Sequence, residues 1–248
     1  MLAGCAAIAA TSPAMAGAQT GGVVGPTVLD PMAEVVEPGQ AVKLSDETKV
    51  TRWAHATETE PVRVAPTASA PVITRLRYET EDKLPEVYLV LEGKVDSAGD
   101  QWLHIRIPMK PNGRTGWVPA DMLSQLYVVR TQLAISTRTK KATLRKNGRV
   151  VWSAPVGVGK AGTPTPKGDF WIRELLRGGN GAYGTWAFGT SAYSNIREWR
   201  GAPVVGIHGT NQPELIPGRP SHGCIRVPNA KISRLAELMP VGTPVRIR

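Results

Sequence analysis

The 248-residue sequence predicts a mainly β protein with one helix near its C-terminus, arranged as a small barrel followed by a larger β domain. Three observations carry this reading. Short apolar runs, alternating or continuous and bounded by Gly, Pro, Asn or Asp, recur from about Thr51 onward, as strands separated by turns require. Asn147-Gly148 stands between two such runs and is the strongest short hairpin signal, because both turn positions need φ > 0. A single clear stretch has helical spacing: Ile232, Leu235 and Met239 share a face, with Asn229 as candidate N-cap and Pro240 as the stop.

Taken in order, residues 17–49 are Gly-rich and then carry Pro31, Pro38 and scattered acids, which reads as a linker. Residues 50–124 form the first folded unit. Val62-Arg63-Val64 precedes Pro66, and Val87–Leu91 precedes Glu92-Gly93. In Trp102–Ile107 the residues Leu103, Ile105 and Ile107 fall on one face, as in a half-buried strand, and Asn112-Gly113 turns into Thr115–Pro119. Several short strands in so few residues suggest a small all-β barrel. Residues 126–248 form the second unit, with strands expected at Tyr127–Val129, Leu133–Ser136, either side of Asn147-Gly148, Gly168–Leu175, Trp186–Gly189, Val204–Ile207 and Val245–Ile247. Residues 178–201 are Gly-rich and aromatic (Tyr183, Trp186, Phe188, Tyr193, Trp199), the composition of a lid over a site.

Composition narrows the function. The chain is 42% hydrophobic and 20% charged, as a globular protein is, and has no run of 18 apolar residues. Its net charge of +10 is uneven: residues 1–125 hold 11 Lys+Arg and 15 Asp+Glu, whereas residues 126–248 hold 19 and 5. A basic half suggests an anionic partner, but the dispersed cations and the lack of a zinc-finger or RNP-like motif argue against nucleic acid. Two cysteines, Cys5 and Cys224, exclude a disulfide framework.

Residues 1–16 read as a truncated export signal. Ala14-Met15-Ala16 resembles a signal-peptidase site, and Leu2-Ala3-Gly4-Cys5 a lipoprotein box, although no positively charged segment stands in front. An unstructured Ala-rich tail is the alternative. Export implies the cell envelope or periplasm, with Cys5 removed or lipid-anchored. Cys224 is then a lone extracytoplasmic thiol: reactive, paired between chains, or buried and inert.

The chemistry concentrates in Gly206-Ile207-His208-Gly209-Thr210 and Pro220-Ser221-His222-Gly223-Cys224-Ile225-Arg226. A cysteine attacks a carbonyl as its thiolate, and a nearby imidazole supplies base and later acid. His208 and His222 are both candidates. Gly223 allows close backbone approach to a substrate, and consecutive N–H groups at such a turn can hold an oxyanion. Arg226 could lower the thiol pKa or bind a carboxylate. The competing readings are inert packing and a zinc site built from His208, His222 and Cys224, for which only Glu214 offers a nearby fourth ligand.

The spaced His followed by Ser-His-Gly-Cys resembles the signature of the L,D-transpeptidases, and Thr163–Phe170 is similar to the Thr-Pro-x-Gly-x-Phe stretch that precedes it. The resemblance implies a β-sandwich-like catalytic domain. Cys224 would be the nucleophile, His208 its base, and the Gly209 carbonyl the group that orients the imidazole. His222, Gly223 and Cys224 would shape the oxyanion hole and Ser221 would support the turn. Arg226 stands where the family's most quoted pattern has Asn, and with Tyr193 and Trp186 it is a candidate substrate contact. The implied reaction joins peptidoglycan stem peptides by 3→3 cross-links through a thioester, without metal or cofactor, in a monomer open to carbapenem acylation. Anionic wall polymers then explain the basic half. An L,D-carboxypeptidase, a non-catalytic wall-binding protein and a papain-like hydrolase are the alternatives, the last disfavoured because it carries Cys before His. Residues 50–124 resemble the bacterial SH3-like domain through Val62–Pro66, Gln101-Trp102, Gly113–Pro119 and Leu123.

Overall fold

The computed structural model describes residues 39–179, 181–194 and 203–248. The expected export signal with Cys5, most of the expected linker, and Trp199 lie outside these residues.

The N-terminal unit is an eight-stranded sheet: β1 Ala41–Lys43, β2 Thr51–Ala54, β3 Pro61–Arg63, β4 Val72–Arg75, β5 Tyr88–Val95, β6 Gln101–Arg106, β7 Thr115–Pro119 and β8 Tyr127–Val129. Its order is β4-β3-β7-β6-β5-β2-β8, with β1 also paired to β5. Alternation works as the sequence predicts. Leu103 and Ile105 of β6 are fully buried beside Tyr88, Val90 and Val118, and His104 between them stacks on Trp117 on the outer face.

Two boundaries differ from expectation. Ala41–Lys43, assigned to the linker, pairs in register with Glu92–Lys94 of β5, because Val42 and Leu44 have apolar neighbours to cover. Tyr127–Val129, assigned to the second unit, pairs with Thr51–Trp53 of β2 and so closes the first sheet.

The C-terminal unit has ten strands: β9 Thr131–Ser136, β10 Lys141–Lys146, β11 Arg149–Pro155, β12 Gly157–Gly159, β13 Gly168–Arg177, β14 Trp186–Tyr193, β15 Val204–His208, β16 Gly218–Ser221, β17 Ile225–Arg226 and β18 Pro244–Ile247. They run β11-β10-β9-β18-β13-β14-β15-β17-β12-β16. The long β13 serves two layers, its first residues pairing with β18 and its later ones with β14. One core fills the space between, with Leu133, Leu144, Phe170, Ile172, Phe188 and Ile207 all buried. The β10–β11 turn has Asn147 at φ 52° and Gly148 at φ 76°, the pair of positive values that Asn-Gly supplies.

The only α-helix among the described residues, α1 (Asn229–Leu238), buries Ile232 and Leu235 against this core. Asn229 is its first helical residue rather than its N-cap. Pro228 holds that position at φ −56°, a value its ring favours, and its carbonyl receives the Ile232 amide at 2.9 Å. The predicted lid is also corrected in part. Trp186–Tyr193 is an interior strand paired on both sides, which gives its backbone groups partners that a mobile lid would lack.

Between the units, Trp171 packs with Trp53, Val87, Leu89 and Val129 and donates its indole N–H to the Val87 carbonyl at 2.7 Å. Beside this apolar contact, the fully buried Arg173 binds Glu86 through Nε at 2.6 Å and Nη2 at 2.5 Å, and Glu81 at 2.8 Å. Arg77 pairs with the same two carboxylates. Tyr193 donates to Glu81 at 2.8 Å, and the Asn112 amide holds the Tyr193 backbone through two 2.9 Å bonds. Tyr193 therefore belongs to the interface and not to a substrate surface. Strand alternation and the Asn112 clamp turn its ring toward the first unit.

Candidate active site

Adjacent parallel strands build the site. Ile207 pairs with Ile225 and His208 with Arg226. Residues opposite one another in a parallel pair project to the same face, so Ile207 and Ile225 enter the core while His208 and Arg226 share the other face. Cys224 stands directly before β17, so the chain delivers it to the start of the strand that pairs with His208.

His208 is 5% exposed. Its Nδ1 lies 2.6 Å from the Gly209 carbonyl oxygen. A carbonyl only accepts, so Nδ1 carries the proton and Nε2 keeps its lone pair. Burial pushes the imidazole down to about pKa 4, opposed by the Gly209 hydrogen bond and assisted by the Arg226 charge. The ring is neutral at pH 7 and able to accept a proton. Tyr183 meets it edge-on, with centroids 4.9 Å apart. This ring contact escapes a sequence reading, in which Tyr183 was one aromatic among several.

Cys224 is half-buried at the end of a braced turn. The Ser221 hydroxyl donates to the Cys224 carbonyl at 2.6 Å and accepts the Gly223 N–H at 3.1 Å. Gly223 sits at φ 124°, which L side chains avoid. Its contribution is this conformation, because its N–H is directed inward to Ser221. Thr165 donates to the Gly223 carbonyl at 2.8 Å and accepts the Gly159 N–H at 2.9 Å, while the Lys160 N–H reaches the Ser221 carbonyl. The Thr-Pro-Thr-Pro stretch thus buttresses the cysteine turn.

The other predicted residues take different places. His222 and Glu214 are exposed, and among the described residues no three His, Cys, Asp or Glu side chains gather as a metal would require. Arg226 donates Nη1 to Gln212 at 3.1 Å and has a buried Nε without a hydrogen-bond partner, beside His208. Trp186 reaches the site by its backbone, accepting the Gly209 N–H at 3.0 Å, while Arg177 covers its ring. Asn229 was missed. Its amide oxygen accepts the Thr210 N–H at 3.1 Å and the Thr185 N–H at 3.3 Å, next to Gly209.

The C-terminal unit is similar to known proteins. The family model of the YkuD L,D-transpeptidase catalytic domain matches residues 130–247. The protein named "Putative L,D-transpeptidase YkuD" of Bacillus subtilis (strain 168) is 36% identical over 121 residues, which cover 49% of this chain and 68% of that protein. Its namesake from Bacillus licheniformis is 34% identical over 47% of this chain and 64% of its own length. The NMR structure of the catalytic domain of an Enterococcus faecium L,D-transpeptidase aligns with 48% of this chain and 96% of that domain, at 25% identity and a TM-score of 0.38. The chain belongs to the L,D-transpeptidase (YkuD) family. Its first unit lies outside the matched residues, and the match begins at residue 130, one residue after β8 ends.

Proposed function

We propose that this protein is a cysteine-dependent peptidoglycan L,D-transpeptidase. The observation that carries the reading is the buried, neutral His208, its Nδ1 held by the Gly209 carbonyl, on a strand that pairs with the one directly following Cys224. In the proposed cycle His208 Nε2 takes the Cys224 thiol proton, and the thiolate attacks the carbonyl of the third residue of a stem tetrapeptide. The C–N bond to the terminal D-Ala breaks, and the imidazolium returns its proton to the departing amine. An amine from a second stem then attacks the thioester. It loses a proton to His208 and expels the thiolate, which is reprotonated, so a 3→3 cross-link forms and the enzyme is regenerated. No metal or cofactor enters these steps. The Ser221–Cys224 turn supplies the cradle for the oxyanion, and Arg226, with its unpartnered Nε, is the residue suited to a stem carboxylate.

A peptidoglycan substrate supports a location in the cell envelope or periplasm, as the reading of residues 1–16 also does. The N-terminal unit is read as a bacterial SH3-like module that holds the catalytic unit. A carbapenem offers Cys224 a strained acyl group and is expected to block it.

The test is incubation of the full chain with a tetrapeptide muropeptide, with and without an acceptor stem, followed by mass spectrometry. A cross-linked dimer with released D-Ala is expected from the native protein and none from Cys224→Ala. Tripeptide alone, even with acceptor present, would reassign the chain as an L,D-carboxypeptidase. Equal turnover by Cys224→Ala would remove the mechanism.

A further inference from the structure

We propose that Asn229 is a positioning residue: it fixes the Gly209–Thr210 peptide unit whose carbonyl holds His208 in the tautomer that can deprotonate Cys224. The inference rests on the reading of His208 as the base of Cys224.

The argument starts from peptide planarity. The Gly209 C=O and the Thr210 N–H belong to one rigid unit and point in opposite directions. His208 Nδ1 is 2.6 Å from the oxygen end, and the Asn229 amide oxygen receives the N–H end at 3.1 Å. Rotation of the unit would break both contacts together. Holding one end therefore holds the other.

A built slot receives the Asn229 amide. A Cβ at Gly184 or at Gly209 would overlap Asn229 Oδ1, so the amide fills space that two glycines leave open. Gly184 is also at φ 64°, a conformation that favours glycine. The same oxygen accepts the Thr185 N–H, and the Gly209 N–H is held by the Trp186 carbonyl. One turn along α1, Ser233 contacts the Thr185 hydroxyl at 3.0 Å. That second contact ties the helix to the same loop without touching the Gly209–Thr210 unit, which makes it a natural control.

A side chain serving only as a helix cap would bond to its own first turn. Asn229 instead spends its oxygen on two backbone amides 19 and 44 residues away in sequence. Groups that orient an imidazole through its second nitrogen fix both tautomer and ring angle, and at metal-bound imidazoles their loss typically costs on the order of 10–100-fold in affinity or activity.

The experiment uses the full chain labelled with ¹⁵N-histidine. The His208 signals are assigned among the four histidines by their loss in His208→Gln. Two readouts are taken, neither needing a peptidoglycan substrate: the protonated ring nitrogen of His208, and the pH profile of Cys224 alkylation by iodoacetamide. In Asn229→Ala the His208 ring is expected to become a tautomer mixture and alkylation at neutral pH to slow by about tenfold or more. Asn229→Asp, which keeps an oxygen in the slot, is expected to restore Nδ1 protonation. Ser233→Ala is expected to leave both readouts as in the native protein. An unchanged ring signal and alkylation profile in folded Asn229→Ala would overturn the proposal. Should that variant fail to fold, Asn229→Asp decides. Its added negative charge beside the Gly209 peptide must raise the His208 titration point, and an unmoved titration point would overturn the proposal. Native protein that alkylates normally yet forms no cross-link would defeat the transpeptidase reading and leave this one standing.

Discussion

Two buried polar clusters, one on β13 and one on β15, flank β14 of the C-terminal sheet and are built in opposite ways. At the interface, Arg173 is enclosed with Glu86 and Glu81. Burial alone would loosen its proton, but the hydrogen bonds and charge of Glu86 outweigh that, and the guanidinium is held more firmly charged than in water. At the active face, His208 is buried with a carbonyl for a partner and the like-charged Arg226 nearby, so it is held neutral. The same desolvation thus gives a fixed charge where carboxylates answer it and a ready base where none does. The first arrangement joins two units, and the second is the one that the proposed mechanism uses for chemistry.

The largest effect expected from this contrast is on stability. Arg173→Ala would leave the fully buried Glu86 with Arg77 as its remaining cation. Removing one partner of a buried pair costs about 3–5 kcal/mol. Urea unfolding should show that loss, while Cys224 alkylation per folded molecule stays at the native rate. A loss below about 1 kcal/mol, the value typical of an exposed pair, would mean that the interface is wet and the contrast is false.

A smaller effect separates the clusters by pH. Glu174, 2% exposed and receiving the Thr80 hydroxyl at 2.6 Å, is pushed up to about pKa 7 by burial first, against the opposing Thr80 hydrogen bond, with Asp82 adding to the rise. The folded state then binds a proton that the unfolded state has lost. This stability is present below about pH 4.5 and disappears as pH rises through 7. His208 has the opposite sign. Its folded pKa of about 4 lies below the unfolded value of about 6.5, so stability is full above pH 6.5 and falls as pH drops toward 4. The two slopes oppose each other in between. Glu174→Gln should therefore gain about 1–3 kcal/mol over the native protein above pH 7 and almost nothing near pH 4.5. A variant profile parallel to the native one would show that Glu174 stays ionised in the fold.

What the sequence discloses follows from the range of each interaction. The Asn147-Gly148 hairpin and the order of His208 and Cys224 are local or motif-borne, and both could be read directly. The partner of a strand is not local: Tyr127–Val129 is apolar enough for either sheet, and only the pairing with Thr51–Trp53 assigns it. Asn229 was misread for the same reason. An Asn before an apolar helical stretch is the usual cap, and its actual acceptor role depends on two loops distant in sequence. Tyr193 looked like a lid aromatic because a Gly-rich neighbourhood does not reveal which face of a strand turns toward another unit.

Tyr193 gives the smallest and most discriminating test. Its hydroxyl donates to Glu81 at 2.8 Å, is 3.0 Å from the Pro108 carbonyl and accepts from Arg77 at 3.0 Å. Tyr193→Phe keeps the ring that fills the interface and removes only these bonds, so a loss of about 1 kcal/mol is expected. Glu81 keeps Arg173 and Arg77, which limits the cost. If the hydroxyl serves the interface alone, kcat and KM for stem-peptide turnover stay at native values while the unfolding midpoint drops. A raised KM at unchanged stability would return Tyr193 to the substrate surface and would make the two clusters one continuous site.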